Sequence, residues 1–203
     1  MNWAVGVITA PRPIATLRRT LPSLARAGFA APLVFDDADR RGSWPNWLRA
    51  VTRLLHHFPR ADALLVCEDD VIFCRGLRAY LERTLWPEER VALCSPYCPA
   101  VYRGPFSGWH RERRGRYLVG SLCWALPRDV AAALLADLDG ATAGRHIDAR
   151  VGQWAADRGR SVWYHTPSLA QHLGEVNSAL GDHRVSDLRH AADFVGEEWE
   201  EKG

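Results

Sequence analysis

Long apolar runs and secretory features are missing from this sequence of 203 residues. No apolar stretch approaches the ~20 residues that a membrane-spanning helix needs, which argues against a membrane protein. The apolar segment at 3–9 has no basic stretch before it, so we expect no signal peptide and a cytoplasmic protein. Internal repeats and an interdomain linker are also missing, which favours a single domain.

Paired metal-binding cysteines and a large net charge are missing as well. The five cysteines are an odd number, and Cys67 and Cys123 lie in apolar segments typical of core strands, so we expect reduced thiols. No second pair at ligand spacing follows Cys94 and Cys98, which argues against a structural zinc site. The net charge of +2 gives no reason by itself to expect a polyanionic partner.

Strand and helix signals alternate through the first half of the sequence. Apolar strands are predicted at 3–9, 32–35, 62–67 and 91–94, and amphipathic helices at 16–27, 46–58 and 76–86. This βαβαβαβ order predicts an α/β fold, in which helices flank a mostly parallel central sheet.

The second half has a less regular pattern. Residues 103–116 form a polar loop rich in glycine and arginine, followed by a predicted strand at 117–126, helices at 127–138 and 147–158, and a strand at 161–164. We place the domain at 1–182. The polar tail at 183–203 is expected to be a loosely held helix or disordered.

Three consecutive carboxylates, Glu68-Asp69-Asp70, directly follow the apolar run at 63–67. They would repel one another unless a positive group lay among them, and Mg²⁺ and Mn²⁺ prefer oxygen ligands. Open α/β sheets also bind their ligands at the ends of strands. The triplet alone therefore predicts either a cation site that carries phosphates or a solvated acidic turn.

The order of several segments narrows this choice. They are 7–12, 16–29, 46–50, 66–71, Gly120-Ser121 and 167–178. In this order and separation they resemble the nucleotide-sugar-dependent glycosyltransferases of the GT-A fold. The resemblance implies a single GT-A-like, Rossmann-like domain, with a nucleotide-sugar half at about 1–100 and an acceptor half at about 101–182.

The resemblance also implies a cofactor and its ligands. In that family a divalent cation, Mn²⁺ or Mg²⁺, bridges the two phosphates of a nucleoside diphosphate sugar. The donor that we expect first for this sequence is a UDP-sugar. The last aspartate of the acidic motif binds the metal and a later histidine completes the coordination, which points to Asp70 and His172. Glu68 and Asp69 are expected to support the metal and the ribose, with their roles left open because the usual motif is Asp-any-Asp. The alternative for His172 is a core or loop histidine.

Other candidate nucleotide contacts follow the first two strands. A nucleotide at the end of the first strand would meet backbone groups, and in the resembled family an acidic residue after the second strand contacts the base or ribose. Asn46 is a further candidate, with helix N-capping as the alternative. The candidate contacts are Thr9, Ala10, Pro11, Arg12, Asp36, Asp37 and Asn46.

A metal can stabilise the charge on the departing diphosphate without proton transfer. The acceptor hydroxyl must still lose its proton as it attacks the sugar, and a positioned carboxylate can take that proton. Asp148 is the candidate base. It lies at a predicted helix start, about where inverting members of the fold have their base. The alternative is a helix N-terminal charge that interacts with the macrodipole.

The arginine-rich loop supplies candidates for acceptor binding. It is interpreted as a lid over the diphosphate, as a docking surface for an anionic acceptor such as DNA with a hydroxymethylated base, or as a solvated loop. Two tryptophans are placed to stack on a sugar or base. The candidate acceptor or lid residues are Trp109, Arg113, Arg114 and Trp124.

Together these features predict a metal-dependent, inverting glycosyltransferase of the hexosyl type, with no membrane and no obligatory protein partner. A nucleotidyltransferase is a second interpretation, although the segment 9–13 lacks the glycine-rich loop of such enzymes. A non-catalytic module that binds a nucleotide sugar or nucleic acid is the third.

Overall fold

The structure is a computed structural model that describes residues 1–11, 15–113, 118, 120–138, 146–173 and 190–199. The strands are β1 (Trp3–Thr9), β2 (Leu33–Asp36), β3 (Ala63–Glu68), β4 (Val71–Phe73), β5 (Val91–Ser95), β6 (Gly108–Arg111), β7 (Cys123–Pro127), β8 (Ser161–Thr166) and β9 (Ala170–His172). The helices are α1 (Leu17–Arg26), α2 (Ser43–His57), α3 (Leu77–Thr84), α4 (Arg128–Leu138) and α5 (Ile147–Asp157), with a 3₁₀ turn at Ala100–Tyr102.

The central sheet has seven strands in the order β2-β1-β3-β7-β5-β8-β6. β1 pairs in parallel with β2 and β3, and β5 pairs in parallel with β8. β7 is antiparallel to β3 and β5, and β6 is antiparallel to β8. Five of the seven strands therefore run in one direction and only β6 and β7 run opposite to them, so the sheet is mostly parallel, as the sequence predicted. β4 and β9 form a separate antiparallel pair.

Both faces of the central sheet are covered, which explains the continuous apolar run of β3. Leu64 and Val66 pack into a cluster with side chains of α2, α4 and α5. Leu65 and Cys67 point to the other face and pack with α1, α3 and the β4–β9 pair. β1 approaches α2 so closely that a Cβ at Gly6 would lie 2.9 Å from Leu54 Cδ1, so a larger residue there would require the Leu54 side chain to shift.

Three short strands differ from the sequence prediction. β6 lies inside 103–116, which was predicted as a loop, and β4 and β9 were not predicted at all. The strand predicted from 117 begins at Cys123, and Pro127 ends that strand instead of opening α4. Each missed strand has three or four residues, too few for a periodic pattern, and β6 is a polar edge strand.

The predicted tail is partly wrong. The proposed boundary at 182 lies outside the described residues, but residues 190–199 are described and contain no helix. Phe194, Val195 and Trp199 pack against the cluster formed by α1, α3 and β4. Phe194 and Val195 are adjacent, and Trp199 follows a glycine and two glutamates, so the segment has too few apolar positions for an amphipathic pattern and the sequence suggested a loosely held tail.

The described helices are short, and the longest of them, α2, has 15 residues. Among them, none combines enough length with enough apolar character to cross a membrane.

Candidate functional site

The carboxyl ends of three neighbouring parallel strands bring the sequence candidates together. The register pairs Thr9 with Asp36 across β1 and β2, and Ile8 with Glu68 across β1 and β3. The acidic motif, the loop after β1 and the loop after β2 therefore meet at one edge of the sheet, where open α/β folds bind ligands.

The two aspartates of the motif are buried in the turn between β3 and β4. Asp69 is 2% exposed and Asp70 is 4% exposed, so the solvated-turn interpretation is wrong. Thr9 Oγ1 donates a hydrogen bond of 2.6 Å to Asp69 Oδ2, and the buried Thr20 Oγ1 donates one of 2.6 Å to the Asp69 carbonyl. β1 and α1 thereby fix the turn from two sides.

Asp70 faces His172 across the β4–β9 pair. The antiparallel register pairs Val71 with His172, and Leu173 N donates a hydrogen bond of 2.7 Å to the Asp70 carbonyl. His172 Nε2 lies 3.4 Å from Asp70 Oδ2, and both side chains are almost fully buried. The sequence candidates for metal binding, a hundred residues apart, are therefore adjacent in space.

This pair has the chemistry of a partial cation site. A carboxylate oxygen and an imidazole nitrogen both bind Mn²⁺, and neighbouring ligands of an ion at about 2.1 Å lie about 3 Å apart. Across the described residues, no three histidine, cysteine, aspartate or glutamate side chains are grouped to hold a metal. Two protein ligands fit the kind of site in which the cation also takes phosphate oxygens and water.

Glu68 and Asp148 are connected through Gly120 and Ser121, two adjacent residues in the loop that leads into β7. Ser121 Oγ donates a hydrogen bond of 2.7 Å to Glu68 Oε1, and Gly120 N donates one of 3.1 Å to Asp148 Oδ2. Gly120 has φ +86°, and a Cβ there would meet the Tyr97 ring at 3.1 Å, so this link depends on glycine. The proposed base therefore lies near the acidic motif.

Asp148 occupies the first turn of α5, as the sequence predicted, and is half-buried. Its Oδ1 accepts a hydrogen bond of 2.8 Å from Ala149 N, so the carboxylate also interacts with the helix N-terminus. The contacts fit both interpretations of Asp148, and its role as a base stays a prediction.

Asn46 and Asp37 hold the strand ends in place. Asn46 is buried; its Nδ2 donates to the carbonyls of Thr9 and Phe35, and its Oδ1 accepts from Arg49. Both amide hydrogens and one lone pair of Oδ1 are thus used within the protein, and the nucleotide contact of Asn46 stays a prediction. N-capping of α2 by Asn46 is wrong, since Gly42 occupies that position.

Asp37 is 8% exposed and accepts hydrogen bonds from Arg41 N and Gly42 N with its two carboxylate oxygens. It shapes the loop that leads into α2. Asp36 is exposed. It stays a predicted nucleotide contact, as do the exposed or half-buried Thr9, Ala10 and Pro11, whereas Arg12 lies outside the described residues.

The two candidate stacking tryptophans pack against protein. Trp124 is 0% exposed, in edge-to-face contact with Trp47, so stacking on a substrate is wrong for this residue. Trp109 donates from Nε1 to Thr84 Oγ1 over 3.1 Å and lies edge-on to His165. A large central tryptophan and a sugar-binding one have the same sequence signature, which explains the error for Trp124.

The lid interpretation fails for Gly108–Arg111, because these residues form β6 and pair with β8. Arg103 forms an ion pair with Asp193 at 3.3 Å, and Arg111 lies 3.9 Å from Glu88. Arg113 is exposed. Arg114 lies outside the described residues, so its proposed role stays a prediction.

Sequence reasoning missed two residues that organise the site. Thr20 lies within α1, and no sequence signal distinguishes it from other helical threonines. Gln171 precedes His172 in the segment 167–178, which carried the resemblance, but the sequence suggested no role for its side chain. Its Oε1 accepts hydrogen bonds from His172 N and Ala191 N, at 3.0 and 2.9 Å.

No protein-family model matches the sequence, and no curated protein matches it. Solved structures do match. A glycosyltransferase involved in the glycosylation of the major capsid of PBCV-1 has a TM-score of 0.54 at 10% identity, over 87% of this chain and 96% of that one.

A197 from STIV matches with a TM-score of 0.54 at 14% identity, over 100% of this chain and 99% of that one. The catalytic domain of Drosophila beta1,4-galactosyltransferase 7, in complex with xylobiose, matches with a TM-score of 0.51 at 14% identity, over 91% of this chain and 74% of that one. The chain therefore has a GT-A-like glycosyltransferase fold, which confirms the fold that the resemblance implied.

Proposed function

We propose that this protein is a metal-dependent glycosyltransferase, which moves a sugar from a nucleoside diphosphate donor to an acceptor hydroxyl. The observation that carries the proposal is the buried pair of Asp70 and His172, with Oδ2 and Nε2 3.4 Å apart, beyond the carboxyl end of β3 in a GT-A-like fold. A UDP-sugar is the first donor to test.

The burial of the Asp70–His172 pair supports a binding role. Placing a carboxylate in a site of low exposure costs free energy, which a cation and its phosphates would offset. Asp70 and His172 would hold Mn²⁺ or Mg²⁺, and the ion when bound supplies Lewis-acid stabilisation of charge on the departing diphosphate.

The neighbouring carboxylates have supporting roles in this proposal. Asp69 is held by Thr9 and Thr20, so it fixes the turn that presents Asp70. Glu68 receives the Ser121 hydroxyl on one oxygen and is half-buried at the strand end. We assign Glu68 to the ribose side of the nucleotide and Asp69 to support of the metal site.

Asp148 is the proposed base. Its carboxylate is half-buried, and the N–H groups of Gly120 and Ala149 fix its orientation. A carboxylate held in this way can take the proton of an acceptor hydroxyl as the oxygen attacks the sugar from the face opposite the diphosphate. That arrangement would invert the configuration at the sugar carbon.

The acceptor is proposed by class alone. A hydroxymethylated DNA base remains the nucleic-acid candidate, with the exposed Arg113 as its candidate contact. The ion pairs of Arg103 and Arg111 weaken the arginine-loop argument for it. The similarity to a protein involved in capsid glycosylation makes a protein hydroxyl the second candidate.

The test is a donor screen that measures release of nucleoside diphosphate with and without Mn²⁺, in the presence of DNA and protein acceptors. Asp70→Ala should lose release, whereas Asp129→Ala, an exposed carboxylate in the first turn of α4, should keep it. Pyrophosphate as the product would indicate nucleotidyl transfer, and binding without turnover would indicate a binding module. Full metal-dependent release by Asp70→Ala would contradict the proposal.

A further inference from the structure

Gln171 ties the C-terminal segment 190–199 to the strand that carries His172. Its Nε2 donates a hydrogen bond of 3.0 Å to the Ala191 carbonyl, and its Oε1 accepts one of 2.9 Å from Ala191 N. The same Oε1 accepts a hydrogen bond of 3.0 Å from His172 N. One side-chain amide therefore fixes the backbone beside His190 relative to the backbone of His172.

The rest of the segment is anchored over a long path. Ser168 N donates to Asp193 Oδ1 over 3.1 Å, and Val195 N donates to the Ser168 carbonyl over 3.1 Å. Further along, Arg75 N donates to the Glu197 carbonyl over 2.9 Å, and Trp199 lies edge-to-face on Tyr80. Contacts at both ends fix the position of the segment beside β9, so it is a structural part of the site.

This anchoring places a second imidazole beside the Asp70–His172 pair. The His190 ring lies edge-to-face to the His172 ring, with 6.4 Å between centroids. His172 is buried whereas His190 is partly exposed, so of the two neighbouring rings His190 is the more accessible to solvent. It is a second imidazole next to the pair proposed to hold a cation, where a phosphate bound to that cation would also lie.

We propose that His190 binds the diphosphate of the donor nucleotide and that Gln171 is the residue that positions it. An imidazole ring donates at least one N–H in either protonation state, and phosphate oxygens are strong acceptors. Gln171 acts through the backbone of Ala191 and does not itself touch the ligand. This inference rests on the proposed function, because it assigns a residue to the same nucleotide site.

The experiment measures two affinities separately. Binding of Mn²⁺ alone is followed by electron paramagnetic resonance, and binding of UDP and of GDP in the presence of Mg²⁺ is followed by calorimetry. The variants are His190→Ala, the conservative His190→Asn, and Gln171→Ala, with His57→Ala as a matched exposed histidine at the opposite end of the sheet. Thermal unfolding of each variant shows whether it is folded.

His190→Ala should weaken nucleoside diphosphate binding about tenfold, as expected for one hydrogen bond to a charged group. Its Mn²⁺ affinity should stay within about twofold of wild type, and His190→Asn should recover part of the loss because its amide also donates. Gln171→Ala should weaken nucleotide binding to a similar degree, with little further loss when combined with His190→Ala. His57→Ala should leave both affinities unchanged.

Unchanged nucleotide affinity in His190→Ala would overturn the inference while leaving the proposed function in place. A loss of Mn²⁺ affinity as large as that of His172→Ala would overturn the assignment to the diphosphate. If wild-type protein bound neither nucleotide and no Mn²⁺, the proposed function itself would be contradicted, and the assignment of His190 with it.

Discussion

Substitution of Thr20 by valine probes how the acidic turn is held. Thr20 is 0% exposed, and its hydroxyl donates a hydrogen bond of 2.6 Å from α1 to the Asp69 carbonyl. Valine has nearly the same shape and the same branching at Cβ, so the substitution removes the hydrogen bond with little change in packing. It isolates one contact between the helix and the turn that carries Asp70.

The expected loss follows from the burial of both atoms. Removing the donor in a fully buried site forfeits the hydrogen bond and leaves the carbonyl poorly solvated, which costs about 1–3 kcal/mol. Urea unfolding followed by tryptophan fluorescence should therefore show a free energy of unfolding lower by about that amount, with an unchanged dependence on urea. Mn²⁺ affinity should fall as well, because the turn is less well fixed.

Thr52→Val is the matched control. Thr52 is an exposed helical threonine whose hydroxyl donates to the Leu48 carbonyl of its own helix over 2.8 Å. Its substitution should change the free energy of unfolding by less than about 0.5 kcal/mol. If Thr20→Val were equally silent, the hydroxyl would not anchor the turn, and the reasoning about Asp69 would be refuted.

Three further predictions concern thiols, the proposed base and pH. Burial raises the pKa of Cys74 and Cys98 to about 12, and all five cysteines are buried. A disulfide reagent at neutral pH should therefore label none of the five thiols in folded protein and all of them in denaturant. Rapid labelling of folded protein would contradict this prediction. Asp148→Asn should lower kcat about 10²- to 10⁴-fold in a transfer assay and leave donor binding unchanged, and wild-type turnover would exclude the base role. Burial lowers the pKa of His165, so the unfolded chain binds the proton more tightly than the folded protein does. The free energy of unfolding should therefore fall as the pH drops below about 6.5. In urea titrations at several pH values, His165→Asn should make the free energy of unfolding less dependent on pH.

The parallel strands were predictable because strands that are buried on both faces consist almost entirely of apolar residues. β1 and β3 are covered on both faces, and each reads as an unbroken apolar run. The acidic motif and its place after β3 were equally visible. β4 and β9 were not, because strands of three residues are defined by their partner instead of by their own pattern.

The candidate site was predicted best where geometry follows from strand order. Asp70 and His172 were expected to meet, and the structure places them 3.4 Å apart. Trp124 was misjudged because a buried aromatic side chain looks the same in sequence as a ligand-binding one. The contacts of Gln171 with Ala191 depend on chain packing across 20 positions, which no local pattern encodes.

The central claim is that Asp70 and His172 hold a cation that binds the diphosphate of the donor. It is tested most directly by calorimetry of UDP binding, with Mn²⁺ and with a chelator. Wild-type protein should bind UDP only with the metal, and Asp70→Asn and His172→Ala should each weaken that binding about tenfold or more, while Asp129→Asn should not. UDP binding that survived both the chelator and the two substitutions would contradict the claim.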